Sequence, residues 1–358
     1  MKIFFYINAL YGGGAERVMS NLATQFANAG HDVGLITTFR VENEYAVDEK
    51  VARFALETEG HASNVLLRNL ERITGLRRIL KEQAPDVLIS FLREPNFRAI
   101  LAAAGLKTKV IVSVRNDPVK EYSSQAAQFL ARNLFRKADG VVFQTPDAQG
   151  WFPDAVRRRS TVIANQVNPR FFDRELEPKR ENIVTVGRLS DQKNHRILLK
   201  AFAQVKDEVR DDLVIYGEGE LRQALETEAE RLGLTGRVHF PGNITDVDLK
   251  LAKAKAFVLS SDYEGMPNAL MEAMAMGLPC ISTDCPCGGP KMLIENGENG
   301  ILIPVGDAGA LAEALRTVLK DDANASRLGQ NAKRKAEQFR PERIFKQWES
   351  YAQHISMQ

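Results

Sequence analysis

KIFFYINALYGGGAERVMSNLATQFANAG, residues 2–30, runs from an apolar stretch through three consecutive glycines into a segment with apolar residues at helical spacing. A short aromatic and β-branched run without alternation predicts a strand buried on both faces, and the segment after it predicts a helix ending at Gly30. Strand, glycine loop and helix in that order open a βαβ unit, the repeating piece of a parallel sheet. Glycines at a helix start also let backbone amides approach an anion, so the loop is expected to meet a phosphate.

The alternation continues along the chain. DVGLIT (32–37), DVLISF (86–91), KVIVSV (109–114) and GVVFQT (140–145) predict four more strands. Two prolines and a charge cluster interrupt it at ANQVNPRFFDRELEPKREN (164–182), after which NIVTVG, DLVIYG, VHFPG, KAFVLSS, PCISTD and GILIP restart it. The expectation is an α/β protein of two Rossmann-like, doubly wound parallel-sheet domains facing an interdomain cleft. Residues 1–168 form the first, 169–181 a linker and 182–340 the second, a division that suits 358 residues. Residues 341–358 predict an amphipathic helix whose Phe345, Trp348 and Tyr351 pack back on the body of the protein, against the first domain.

Hydrophobic content of 44% and charged content of 26% exclude a disordered chain. MKIFFYINAL reads as a core strand rather than a leader, and no apolar run is long enough to cross a bilayer. A cytoplasmic chain, peripheral on the inner face of the membrane, is expected. Cys280, Cys285 and Cys287 are expected to be reduced thiols without metal, since no fourth ligand is near.

Charge is uneven: residues 61–170 hold 18 Lys/Arg against 9 Asp/Glu, whereas residues 171–358 hold 25 against 29. The cations include Arg68, Arg72, Arg77, Arg78 and Lys81, then Arg93, Arg98, Lys107 and Lys109, then Arg132, Arg136, Lys137 and Arg157 to Arg159. An anionic membrane surface is the expected partner of this basic first domain. Nucleic acid is not, because aromatics are not interleaved with the cations.

Ligands of parallel sheets bind beyond the carboxyl ends of the strands, and the informative residues fall there. NIVTVG ends at Gly187-Arg188, with Lys193 five residues on, and DLVIYG ends at Gly217. Arg supplies a planar fork for phosphate and Lys a point charge. In SSDYEGMPNALMEAMAMG, Glu264 and Glu272 stand eight apart around Gly265 and Pro267. Pro267 suits a first helical turn, so the amides of Asn268, Ala269 and Leu270 face outward as an anion site between two carboxylates. That arrangement fits a nucleotide sugar better than a bare nucleotide.

GRLSDQKN, YGEGEL, YEGMPNALMEAMAMGLPCI and GGPKMLIENGENGILIP, together with GGGAERV near the start, resemble the retaining glycosyltransferases of family 4. The resemblance implies the GT-B fold and a sugar-nucleotide donor, with UDP the expected nucleotide and no metal or other cofactor. It implies that Arg188 and Lys193 hold the diphosphate as leaving-group charge builds, that Glu272 binds ribose, and that Glu264 holds the donor sugar. Asn243 and Ile244 would lie near the base, with Gly187, Gly217, Gly265 and the amides of Asn268 to Leu270 completing the site. Gly13 and Gly14 would close on the distal phosphate, with Glu16 and Arg17 near the acceptor. Many relatives carry a His after the strand matching KVIVSV. This chain has Arg115-Asn116-Asp117, where Arg115 would touch acceptor or donor phosphate and Asn116 or Asp117 an acceptor hydroxyl; alternatively, Asp117-Pro118 is turn chemistry.

The activity expected is transfer of a hexose or N-acetylhexosamine to a lipid-linked sugar in surface glycan assembly, with a soluble acceptor or a sugar-nucleotide 2-epimerase as alternatives. Asp246-Val-Asp248 has the letters of a metal-binding DxD, but its setting predicts Asp246 as a helix cap. GGGAER is not G-x-G-x-x-G and no acid ends the second strand, which argues against a nicotinamide enzyme.

Overall fold

The computed structural model describes residues 1–57 and 64–358. The chain forms two compact units, one of residues 1–165 with 342–358, the other of residues 166–341. The first unit holds strands β1 (Lys2–Ile7), β2 (Asp32–Thr37), β3 (Ala52–Ala55), β4 (Val87–Phe91), β5 (Lys109–Ser113), β6 (Gly140–Phe143) and β7 (Ser160–Val162). They lie in the order β3-β2-β1-β4-β5-β6-β7, all parallel. The second holds β8 (Ile183–Val186), β9 (Leu213–Tyr216), β10 (Val238–Gly242), β11 (Ala256–Leu259), β12 (Cys280–Thr283) and β13 (Ile301–Ile303), in the order β10-β9-β8-β11-β12-β13, again parallel. Every predicted strand is present. β3 and β7 were not predicted: both are short edge strands, half-exposed along most of their length, so neither shows the apolar run that marks a buried strand.

Helices cross over between strands. In the first unit α1 (Gly14–Asn28) buries Val18, Met19, Leu22, Ala23 and Phe26 on one face, which is the spacing that made it legible. α2 (Val65–Gln83) is capped by Asn64, whose side chain accepts from the Leu66 amide, and ends on Ala84 in the left-handed conformation. α3 (Arg93–Ala103), the single turn α4 (Pro118–Glu121) and α5 (Gln125–Leu134) follow. The core of the second unit gathers Leu198, Leu199 and Phe202 with Leu311, Leu315 and Val318 over the sheet.

The helix Pro341–Ser356 is built into the first unit. Phe345 meets Phe26 edge-on at 5.0 Å, Trp348 is fully buried 5.7 Å from Phe91, and the Tyr351 hydroxyl donates to the Arg159 carbonyl at 2.6 Å. The segment expected as a linker is part of the second unit. Its helix Arg170–Asp173 buries Phe171 and Phe172, and the amides of Glu177 and Glu181 donate to the carbonyls of Ala252 and Lys253 at 2.9 and 2.8 Å.

In each sheet the strand order reverses once, between β1 and β4 and between β8 and β11. At such a point consecutive crossovers leave in opposite directions, and a crevice opens beyond the carboxyl ends of the two strands.

Candidate active site

The loops after β8 and β11 flank the reversal in the second unit and are bonded to one another. Lys193 Nζ lies 2.5 Å from Glu264 Oε1, which also accepts from the Ser261 hydroxyl at 2.6 Å. Around this pair Asn194 Nδ2 donates to Asp262 at 2.7 Å, Gln192 Nε2 to the Tyr263 carbonyl at 3.0 Å, and the Ser260 hydroxyl to the Lys193 carbonyl at 2.9 Å. The side chains are only 19% and 8% exposed, so removing one partner would leave the other charge poorly hydrated.

Glycines let these loops approach. Gly217 has φ +139°, and a Cβ there would lie 2.0 Å from the Gly187 carbonyl oxygen. The amides of Gly187 and Gly217 donate to the carbonyls of Tyr216 and Gly242, each at 2.9 Å, lacing the ends of β8, β9 and β10 together. Gly265 is just as tightly held: a Cβ on Gly289 would sit 1.9 Å from its carbonyl oxygen.

The helix Asn268–Met276 begins on this floor, with Pro267 at the N-cap position rather than inside the first turn. Met271 makes the first bond back, to the Pro267 carbonyl at 3.1 Å, so the amides of Asn268, Ala269 and Leu270 precede the intrahelical ladder as an anion-facing end requires. Glu272 is buried one turn further on. Arg188 is exposed, and its side chain has no hydrogen-bond or ion partner among the described residues. Asn243 is exposed just after β10 and Ile244 half-buried. The second unit thus brings together Arg188, Lys193, Glu264 and the helix start.

Two neighbours change the electrostatics. His195, which had not been singled out, is buried two residues after Lys193, and burial together with the Lys193 cation lowers its imidazole to about 4, so it is neutral. Cys285 is pushed up to about 12 by burial and by Glu264, and Cys280 is raised by burial, which leaves both as neutral thiols. Asp246 occupies an N-cap position but makes no side-chain cap bond, lying instead 3.5 Å from Lys250. Asp248 is buried and accepts two bonds from Arg174, at 2.9 and 3.1 Å. Each carboxylate of the DxD letters therefore faces a cation of its own chain.

In the first unit Gly13 is the N-cap of α1, preceded by Gly12 at φ +79° and followed by the exposed Gly14. The Glu16 carboxylate folds back over Gly13, where a Cβ would lie 1.9 Å from its oxygen, and the Arg17 amide donates to the Gly13 carbonyl at 3.3 Å. Arg115 is buried after β5, stacked 4.4 Å over Phe91 and hydrogen-bonded to Asn165. Burial lowers its guanidinium to about 9 against the opposing effect of Glu16, so it remains a cation. Asn116 accepts from the Asp117 amide and Asp117 from the Val119 amide, each at 2.9 Å, which is turn chemistry at the start of α4.

At the β1/β4 reversal lies a polar network that the sequence had not marked as a site. Arg98, expected as part of the basic surface, is buried and donates to Asn8 at 2.9 Å; Thr38 donates to the same Asn8 oxygen at 3.1 Å. The signal was a polar residue directly after β1 and another directly after β2. Other expected surface cations are also engaged internally. Arg72 pairs with Glu57, Arg77 donates to the carbonyls of Ala102 and Ala104 at the end of α3, and Lys109 pairs with Asp139. The basic surface is correspondingly smaller than the composition implies.

Glu121, on α4, carries a buried carboxyl oxygen without a hydrogen-bond partner among the described residues. Burial first and the Glu94 charge second push it up to about 8, with Arg93 opposing. The folded state then holds a proton that the unfolded state has released, so stability is full below the ordinary value of 4.5 and falls as pH rises toward 8. Glu121→Gln is expected to flatten that decline, measured as the melting temperature of both proteins from pH 5 to 8.

Residues 13–166 match the family described as glycosyl transferase 4-like domain, and residues 168–335 the family described as glycosyl transferases group 1. The chain is 32% identical, over 97% of its own length and 97% of the relative's, to a Campylobacter jejuni alpha-1,4-N-acetyl-D-galactosaminyltransferase named for a GalNAc- and diNAcBac-bearing PP-undecaprenol. A second C. jejuni enzyme, a 4-alpha-N-acetylgalactosaminyltransferase named for a diphospho-undecaprenol glycan, is 28% identical over 94% of this chain and 95% of that one. Among solved structures, Anabaena HepE in complex with UDP superposes with a TM-score of 0.82 at 22% identity, covering 99% of this chain and 100% of that one. Sucrose-phosphate synthase from Thermosynechococcus elongatus superposes at 0.85 with 20% identity and 99% of both chains.

Proposed function

The chain belongs to the group 1 glycosyltransferases, with the GT-B pair of Rossmann-like domains, and from that premise we propose that it moves a hexose or N-acetylhexosamine, with retention, from a UDP-sugar to a lipid-linked glycan acceptor. One observation carries the donor half: the Lys193–Glu264 pair at the β8/β11 reversal, beside the exposed Arg188 and the start of the helix Asn268–Met276. Lysine and glutamate satisfy each other across the two loops. An arriving diphosphate would draw Lys193 and Arg188 onto its oxygens, and Glu264 would turn to accept hydrogen bonds from sugar hydroxyls. As the glycosidic bond breaks, charge gathers on the diphosphate, where two fixed cations and the amides of Asn268 to Leu270 stabilise it more than they stabilise the ground state.

Glu272 takes the ribose hydroxyls and Asn243 and Ile244 flank the base. No metal or cofactor is required, since the cations carry the role a divalent ion would take. Glu16, Arg17, Asn116 and Asp117 serve the acceptor, and Arg115, a cation held rigidly by Phe91 and Asn165, meets an acceptor or donor phosphate. HepE binds UDP in its crystal structures and the C. jejuni relatives are named for undecaprenol-linked sugars, which supports the donor and acceptor class. A peripheral position on the cytoplasmic membrane face follows from such an acceptor; among the described residues no helix is long and apolar enough to cross a membrane.

Calorimetry with UDP, followed by a panel of UDP-sugars and a polyprenyl-diphosphate-linked acceptor in the presence of EDTA, tests this. Transfer of one sugar with its anomeric configuration kept is the expected result. Inversion, loss of turnover in EDTA, or epimerised donor without transfer would each overturn a stated part.

A further inference from the structure

The small helix pair after β5 has an outer face that no other element among the described residues covers. Phe129 on α5 is 72% exposed, with Leu130 at 46% beside it and Val119 on α4 at 52%. Soluble surfaces seldom present aromatic and aliphatic side chains together unless a partner covers them. The helix that carries them is not loose. Ser124 caps it by accepting from the Ala127 amide at 3.2 Å, and Ala131 and Leu134 are buried beneath it. Phe135, the next residue, stacks on Phe152 at 5.1 Å, and Phe152 meets Phe143 of β6 at 5.0 Å.

Cations border the same element. Arg132 lies 4.5 Å over the Trp151 ring, and Arg136 and Lys137 follow, both exposed and without a carboxylate partner among the described residues. Arg159 is fixed at 3.2 Å on the carbonyls of Arg136 and Ala138, which keeps its charge beside theirs without neutralising it. Between residues 118 and 138 the single acidic residue is Glu121, uncharged at neutral pH for the reason given above. The face therefore combines an apolar centre with an unopposed positive border, unlike α2, whose Arg72 and Arg77 are engaged internally.

We infer that the outer face of α4 and α5 docks on an anionic lipid bilayer, with Phe129 and Leu130 entering the acyl boundary and Arg132, Arg136 and Lys137 at the headgroups. An aromatic and a leucine on a helix flanked by basic residues is the composition of interfacial helices, where apolar burial and headgroup attraction add. A second copy of the chain does not fit, because a two-fold contact through this face would set its cations against themselves. The inference rests on the lipid-linked acceptor proposed above and names the surface that brings the enzyme to it.

Co-sedimentation of the full chain with phosphatidylcholine vesicles, with and without phosphatidylglycerol, tests this. Wild type is expected to partition only onto the phosphatidylglycerol-containing vesicles. Phe129→Ser is expected to weaken that partition about tenfold, and Arg136→Gln with Lys137→Gln about thirtyfold. Arg78→Glu, on α2, is expected to leave it unchanged. Because these side chains are exposed, melting temperature and UDP affinity should match wild type in all variants. Equal partition of the Phe129 variant and wild type would overturn the inference, as would a Phe129-dependent dimer in vesicle-free sedimentation velocity. UDP affinity of wild type is read in the same samples: its absence would overturn the transferase proposal, while the vesicle comparison would still decide the docking face.

Discussion

Lys193→Ala is expected to lower turnover about 10²- to 10³-fold, the usual consequence of removing one preorganised group aimed at developing charge. UDP affinity should fall by much less, because in the ground state the diphosphate charge is shared with Arg188 and the helix amides. The comparison is of kcat from steady-state transfer and of Kd from calorimetry on the same protein. Equal losses in both would assign Lys193 to uniform binding and remove its transition-state role. The ion pair adds a second expectation. Glu264 in the variant keeps only the Ser261 hydroxyl as a side-chain donor among those identified, so the melting temperature should drop as well. Lys193→Arg separates the effects: it keeps a cation beside Glu264 and should restore stability more fully than turnover, since a planar fork cannot reproduce the placement of a point charge.

Trp348→Ala is expected to cost about 3–5 kcal/mol, a large share of the stability of an ordinary domain. The indole is fully buried against Phe91, on the strand that flanks the β1/β4 reversal, and its neighbours Phe345 and Tyr351 tie the same helix to α1 and β6. Urea unfolding monitored by circular dichroism measures the loss. Trp348→Phe should cost clearly less, for two reasons. It keeps most of the packed volume, and it removes an indole N–H that has no hydrogen-bond partner among the described residues. A Trp348→Ala protein as stable as wild type would mean that the last helix contributes little to the first unit.

Fold class was legible because buried parallel strands are written as continuous apolar runs, and such runs recur at crossover spacing in both halves of the chain. The two edge strands of the first sheet, ARFA and STV, are short and half-exposed along most of their length and carry no such signature. Site residues divide in the same way. Lys193 and Glu264 were each recognisable at a strand end, but their direct pairing depends on β8 and β11 being neighbours, and strand order is a property of the whole sheet. Arg98 shows the converse. It reads locally as one more surface cation, and only the juxtaposition of β1 with β4 reveals that Asn8 draws it inside. His195 was passed over because a lone histidine after a lysine has no spacing to mark it; its neutrality comes from burial, which local sequence does not display.

The first unit needs residues from both sides of the second, whereas residues 166–341 are continuous. Every residue of the second unit therefore precedes Trp348 and its helix in the chain, so the first unit, although its sheet is made first, is the one that depends on the last residues made. Until then Phe26 lacks Phe345 and Phe91 lacks Trp348, and an unfinished sheet is open to chaperones or to a neighbouring chain. A released chain truncated after Pro341 should consequently show a protease-resistant second unit beside a protease-sensitive first one.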